Sequence, residues 1–457
     1  MHNFIFRRII KARQNYWFWP GTMTFGAVLL GFVLPYLDLR LGSDWIRAVG
    51  FLRATQVDGA RAILTTLAAA TLGVAGVAFS VTLVAVSFAS SNYGPRLIGN
   101  LMDDRTNQIV LGIFVSTFVY CITVLSTVHQ RLEQSEAVLE AFVPQLSVLF
   151  ALVLTLAAVG ALSFYIHRIP ESINIMNLTA KIGNRLHRSV NMMLDEEDRR
   201  GRQELDAVGV GAWRPAPQDE AATVVCAETA GYLQQVDLQS LADLARGERI
   251  QIILHRAPGD FLVAGEPIMS ARPERNGNGS IAKRMRDCYA HGANRTDVQD
   301  ILFLSDQLVE VVGRALSPGI NDPYTAMLCL NWLRSGLVAF ARRSPAQPAK
   351  REDPVLYRRV TFEDMMNRSF DRMRQYVAAD RTATLHALGI LADLALAASR
   401  PAMADACVQQ MRQLATSAKE LLSESVAHDE IEAELTKALR DCRELRQGPA
   451  LGGEKNE

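Results

Sequence analysis

The stretch Ala62–Ala89, AILTTLAAATLGVAGVAFSVTLVAVSFA, constrains this chain more than any other. Its 28 residues hold no charge, His, Asn, Gln or Pro. About 20 apolar residues suffice to cross a bilayer core, so the stretch reads as a transmembrane helix. At 1.5 Å per residue it spans roughly 42 Å against roughly 30 Å of hydrocarbon. The surplus implies tilt, or continuation into an assembly of helices. On a helical wheel Thr66, Ala69, Gly73, Gly76, Ser80, Ser87 and Ser91 share a sector of about 80°. Such a stripe of small and hydroxylated residues either packs against another helix or lines a pore in a symmetric ring.

Apolar residues concentrate in the first 166 of 457 positions, so a membrane half precedes a soluble half. Spans are expected at about 17–37, 62–89, 108–128 and 141–166, together making a transmembrane domain of residues 1–168. Lys and Arg near the span ends number ten on the N-terminal side and five on the other, which places both termini in the cytoplasm. The six cysteines, with no CxxC or CxxH pair, read as reduced, buried thiols. Lys plus Arg and Asp plus Glu both number 48, so net charge points to no partner, nucleic acid included. The span centres carry no Asp, Glu, Lys or Arg, which argues against ion-coupled transport.

Beyond the spans, residues 169–200 read as an amphipathic juxtamembrane helix, able to pair with its own copies or to dock on the soluble region. A linker is expected at 201–221 and a small β-rich module at 222–275, with strands at Thr223–Ala227, Ile250–His255, Phe261–Val263 and Pro267–Ala271. The order GYLQQVD, helix, APGDFLVAGEP resembles half of a lipoyl-type barrel sandwich, without the Lys that carries the cofactor. A cytosolic helical domain follows at 281–446, and residues 447–457 read as a disordered tail. The fold class is thus a four-helix transmembrane region followed by a cytosolic α+β region that ends in a helical array.

No P-loop, GxGxxG, GxSxG or HExxH motif is present, and no His or Cys stands at metal-ligand spacing to another. No enzyme, cofactor or metal is expected. Two loops carry distinctive residues. The first is Arg295 to Asp300 together with Arg314, Ser317, Pro318, Gly319, Asn321, Asp322 and Pro323. It reads either as an anion site at a helix N-terminus or as a tight turn in which Gly319 takes the unusual backbone angle and Asp322 caps the next helix. The helix before it is expected over Asp297–Leu316, capped by Thr296 or Asp297, with Asp300 and Asp306 on its polar face. The second loop, Ser90–Gln108, carries Tyr93, Pro95, Arg96, Asp103 and Asp104. It reads as an interfacial helix, as the rim of a pore, or as a loop clasped by the soluble region.

The text FSVTLVAVSFASSNYGPRLI with LGIFVSTFVYCITVL, RTDVQD, ALSPGINDPYTA and GYLQQVD…APGDFLVAGEP resembles the bacterial predicted membrane proteins grouped as domain of unknown function 2254, over roughly residues 10–440. The resemblance implies a bacterial inner-membrane protein with a cytosolic C-terminal half, and it brings no catalytic residues. Two functions are carried forward. One is an oligomeric, channel-like protein in which span 62–89 lines or braces a pore and the cytosolic half regulates it. The other is a membrane-anchored sensor or binding module. The bilayer and further copies of the chain are the expected partners, with any small ligand or ion unidentified.

Overall fold

The computed structural model describes residues 17–41, 56–94, 105–128, 132–134, 137–139, 142–199, 222–273, 278–343 and 354–447. Two compact units, Met1–Asn177 and Leu178–Glu457, are taken in turn.

The first unit holds four helices: α1 (Phe18–Leu41), α2 (Val57–Tyr93), α3 (Arg105–Leu125) and α4 (Gln145–Ile173). All four are long and apolar enough, by length and composition, to cross a membrane. Between α3 and α4 lies an antiparallel pair, β1 (Leu132–Gln134) and β2 (Ala137–Leu139). α1 and α3 meet at glycines. A Cβ at Gly31 would lie 2.8 Å from the Cβ of Thr123, and one at Gly112 would lie 3.3 Å from the Cα of Pro20. Close backbone approach of this kind is what small residues allow between apolar helices. One cluster gathers Ala60, Leu64, Ala68, Tyr120, Val124, Val148 and Ala151, and a second gathers Ala75, Ala78, Val110, Phe114, Ala158 and Tyr165.

Two charged side chains in this unit serve helix ends. Pro144 precedes α4 and has no side-chain acceptor for the exposed N–H groups there. The carboxylate of Asp38, only 6% exposed, takes that role from α1. It accepts hydrogen bonds from the backbone N–H of Leu146 (2.9 Å) and Ser147 (3.0 Å) and from Ser147 Oγ (2.8 Å). At the same end of the bundle Arg61 donates to the carbonyl of Val128, just beyond α3 (3.1 Å). Both residues fall within helices, although the sequence places them in a mixed-charge loop.

In the second unit α5 (Ile175–Arg199) buries Leu178, Ile182, Leu186 and Val190, and it packs on helix α9 (Pro323–Ala341) through Gly183 and Leu186. A Cβ at Gly183 would collide with the ring of Trp332, and one at Gly336 would lie 3.0 Å from Leu186 Cδ2. The apolar face of this amphipathic helix thus packs within the chain's own second unit.

The β-rich part is two small sheets over one core. β3 (Thr223–Cys226), β7 (Pro267–Arg272), β5 (Gln251–Leu254) and β9 (Val355–Leu356) form one sheet in that order. β6 (Phe261–Leu262), β4 (Gly231–Val236) and β8 (Tyr289–Gly292) form the other. Helices α6 (Leu238–Glu248) and α7 (Asn278–Arg286) complete it, with Leu233, Leu241, Ile252, Leu262, Ile268, Met285 and Val355 in the shared core. The part thus draws in α7 and β8, and β9 returns from beyond α9 to pair parallel with β5.

The remaining helices are α8 (Ile301–Ala315), α9, then α10 (Phe362–Met366), a π-helical turn (Asn367–Asp371) and α11 (Arg372–Val377) as one continuous rod. They are followed by α12 (Arg381–Ala397), α13 (Pro401–Leu421) and α14 (Ser425–Gln447). The six cysteines are free thiols, five of them buried.

Candidate functional site

Two places in the structure hold more than packing. The first is α2. Its buried residues Ala60, Leu64, Ala68, Thr71, Ala75, Ala78 and Ala89 mark one face, turned to α3 and α4. The stripe Thr66, Ala69, Gly73, Gly76, Ser80, Ser87 and Ser91 is exposed along its whole length. At 100° per residue the two faces point roughly 160° apart. Among the described residues no atom comes within 4 Å of a Cβ built at Gly73 or Gly76. The seam inside the chain is thus the alanine face, and the stripe points away from it. Three of its hydroxyls bond within the helix, with Thr66 donating to Ala62 O (2.7 Å), Ser80 to Gly76 O (2.9 Å) and Ser91 to Ser87 O (2.9 Å). Tyr93 closes α2, while Pro95, Arg96, Asp103 and Asp104 lie outside the described residues.

The second place is a cleft of about 900 Å³ in the second unit. Its walls come from the end of β5, the turn Arg256–Asp260, the approach to α8, the segment after β9, and the α10–π–α11 rod. The floor is a knot of ion pairs. Asp300 and Asp306 are 4% and 2% exposed. Arg295 donates to Asp300 from Nε (2.8 Å) and Nη2 (2.6 Å), and to Asp306 from Nη1 (2.6 Å). Arg368 grips Asp306 with Nε (2.8 Å) and Nη2 (2.7 Å), a two-pronged pairing, and Arg372 adds Nη1 at 3.2 Å. Three guanidiniums thus share two buried carboxylates.

Local structure sets each group in place. Asp300 caps α8 by accepting from the backbone N–H of Phe303 (3.0 Å), so the helix begins at Ile301, not at Asp297. The turn before it is drawn aside by Gln299, whose amide pairs with both backbone groups of Val236 (2.8 and 3.0 Å) and extends β4 like an extra strand residue. Gly259 stands at φ +98°, and a Cβ there would collide with the Asp300 carboxylate. The π-helical turn carries Arg368 and turns Ser369 inward to Ser305 (2.7 Å). The rod then presents Arg368 and Arg372, four apart, on one side.

Burial alone would raise the Asp306 pKa, but hydrogen bonds from Arg368 and Arg295 outweigh it and hold the carboxyl below its ordinary range. In Asp300 burial wins over Arg295, and its pKa is raised. On the wall, His255 meets Ser270 Oγ through Nε2 (2.9 Å). Burial, with Arg272 and Arg256 nearby, lowers its pKa to about 4, so it is neutral at physiological pH.

The loop read together with Arg295 and Asp300 does not stay with them. Ser317–Pro323 lies at the far end of α8, 15 residues and about 22 Å along the axis. There the turn's polar groups are used internally. Ser317 O accepts from the N–H of Ile320 (3.0 Å) and Asn321 (2.9 Å), and Asp322 N–H donates to Ala315 O (2.7 Å). Asp322 then caps α9 through Thr325 N–H (3.1 Å), with Pro323 in its first turn. The positive φ belongs to Asn321 (51°) and not to Gly319, where a Cβ would meet nothing within 4 Å. Arg314 lies within 3.8 Å of Glu310.

Asp306, Arg256, Arg358, Arg359, Arg368 and Arg372 escaped the reading from sequence. The helical spacing puts Asp306 on a polar face. Yet α8 is apolar nearly all round, with Ile301, Leu302, Phe303, Leu304, Leu308, Val309, Val311 and Val312. A helix of that kind is buried, and a lone carboxylate in it needs cations.

A family model described as a predicted membrane protein (DUF2254) matches residues 13–393. An uncharacterized protein of Mycobacterium bovis (Mb1321c) and one of Mycobacterium tuberculosis (Rv1290c) are each 30% identical over 298 residues, which cover 64% of this chain and 54% of the relative. The chain thus spans about half the length of these relatives. No solved structure matches. The match over most of its length shows that the chain belongs to the DUF2254 family of predicted membrane proteins.

Proposed function

We propose that the chain acts as an oligomeric, channel-like protein of the bacterial inner membrane, with both termini in the cytoplasm. In it, α2 of neighbouring copies meets along Thr66, Gly73, Gly76, Ser80, Ser87 and Ser91. The observation that carries this reading is the opposition of the two α2 faces. The alanine face is occupied by the chain's own helices, and among the described residues no atom comes within 4 Å of a Cβ built at either glycine of the other face. Small residues favour helix contact in lipid because they let backbones approach.

Single cysteines at Gly73 and Ser80, in a background free of native cysteines, test the contact by cross-linking in membranes. Both should link copies of the chain, and a cysteine at Leu72, exposed but off the stripe, should not. Planar-bilayer recording of purified protein tests conduction, with Gly73→Leu and Ser80→Leu expected to change the current. Absence of cross-links and of current together would sink the reading. A membrane-anchored binding module, favoured by the arginine-lined cleft, would then stand in its place.

A further inference from the structure

We propose that the cleft of the second unit binds a phosphorylated small molecule of about nucleotide size, its phosphate held by Arg372, Arg368 and Arg358. The inference rests on the cleft alone and holds whether or not the spans conduct.

Charge comes first. Six arginines and four aspartates line the cleft. Arg256 is matched by Glu266 (3.1 Å) and Arg358 by Asp364 (2.7 Å), while Asp371 is engaged by Gln410 (2.8 Å) and Arg374. The floor keeps three guanidiniums over two carboxylates, Asp260 and Arg359 on the walls add one charge of each sign, and one positive charge remains in excess in a partly water-excluded place. Donor capacity comes second. A guanidinium has five N–H donors. Arg372 spends one of them on Asp306, at 3.2 Å, with half its side chain exposed, and Arg358 spends one on Asp364 with 58% of its side chain exposed. An incoming anion finds unspent donors on both rims of the floor.

These features select phosphate over carboxylate. The floor already contains carboxylates in two-pronged pairings, so a ligand carboxylate would only duplicate Asp306. A phosphate group offers more acceptor oxygens and a second negative charge, and it can bridge several guanidiniums at once. Size and lining select an organic phosphate over the bare ion. The cleft's 900 Å³ falls within the range of small-molecule sites, about 300–1,000 Å³. Leu254, Pro258, Leu302, Leu356 and the ring of Tyr357 supply an apolar wall for the rest of the molecule. The π-helical turn adds weight, because it sets Arg368 in place and such turns concentrate at functional sites.

The test uses the purified full chain in detergent, titrated with ATP, pyrophosphate and inorganic phosphate, and read by calorimetry and thermal unfolding. ATP should bind saturably, raise the unfolding midpoint, and bind more tightly than inorganic phosphate. Arg372→Ala and Arg358→Ala should each weaken ATP binding at least tenfold while the ligand-free midpoint stays in place, since both side chains are half exposed or more. If one variant fails to fold, the other carries the comparison. No binding of any probe at millimolar concentration, or wild-type affinity in both variants, would overturn the site. Inorganic phosphate binding as tightly as ATP would overturn the role given to the apolar wall.

Discussion

Replacing Asp306 by Asn tests the ion-pair floor of the cleft directly. The side chain keeps its shape and one carbonyl oxygen but loses its charge. Arg295 and Arg368, 15% and 28% exposed, then lose their common counter-ion while still shielded from water. Removing one partner of a buried pair costs about 3–5 kcal/mol. Arg372, half exposed, adds little because water screens it. Arg295 retains Asp300, which keeps the expected loss near the lower end, about 3–4 kcal/mol. For a unit of this size, each kcal/mol moves the midpoint by about 2–4 °C, so a fall of roughly 6–16 °C is expected. Circular dichroism of the full chain during heating measures it, with Asp243→Asn as a control. That carboxylate pairs with Arg246 at the surface, and its loss should leave the midpoint in place. pH adds a second signature. A carboxyl whose pKa is depressed on folding stabilises above its unfolded value, and that stabilisation is lost as pH falls through the folded value. The gap between wild type and variant should therefore close in acid. An Asp306→Asn midpoint within a degree or two of wild type at neutral pH would refute the reasoning.

The other expectations follow the same logic. His255 carries a pKa lowered from 6.5 to about 4, so it favours the fold above pH 6.5 and that stability drains as pH falls toward 4. The full window is worth at most roughly 3–4 kcal/mol, reduced by solvent screening, and His255→Gln should flatten the midpoint-versus-pH curve between 7 and 5; an unaltered slope counts against a buried neutral imidazole. Asp38→Ala strips three hydrogen bonds from the start of α4 and should lower detergent-resistant stability by about 1–2 kcal/mol, read by chemical unfolding in micelles. Gly31→Leu should disrupt the α1–α3 contact and reduce the yield of folded protein, with Gly21→Leu, where a Cβ meets nothing, as the tolerated partner. Gly319→Ala should be neutral, while Asn321→Val should cost about 1 kcal/mol for its left-handed backbone; the reverse order would refute the placement of the turn.

How far the fold was legible follows from which signals are local. The four spans are readable because each carries its own twenty-odd apolar residues, and the amphipathic face of α5 because Leu178, Ile182, Leu186 and Val190 keep helical spacing. The start of α8 was misjudged because two candidate caps, Thr296 and Asp297, precede the one used. The choice of Asp300 depends on Gln299 pairing with Val236, 63 residues away. β9 was missed because two residues make no periodic pattern, and only pairing with β5 makes them a strand. The cleft was only half visible. Arg295 and Asp300 stand in a distinctive motif, but Arg368 and Arg372 belong to a rod whose polar residues look solvated until its π-helical turn aims them at Asp306.

Geometry also changes what the α2 stripe means. In sequence its small and hydroxylated residues fit either a helix seam or a pore lining. In the structure Thr66, Ser80 and Ser91 return their hydrogens to carbonyls one turn back, so lipid can cover them without leaving a donor unmade. Polarity therefore does not demand water at these three positions. Shape is the stronger argument. Gly31 and Gly112 show how this chain uses glycine when its own helices touch, each leaving space that a neighbouring atom fills. Gly73 and Gly76 leave the same space where no atom of the described residues comes within 4 Å. A glycine costs about 1 kcal/mol relative to alanine inside a helix, and two of them three residues apart go uncompensated unless a second backbone comes close. Gly73→Ala with Gly76→Ala separates the cases. With an occupied face the double variant loses cross-linking at Ser80→Cys, and with a lipid-covered face it keeps the oligomeric state unchanged and gains helix stability.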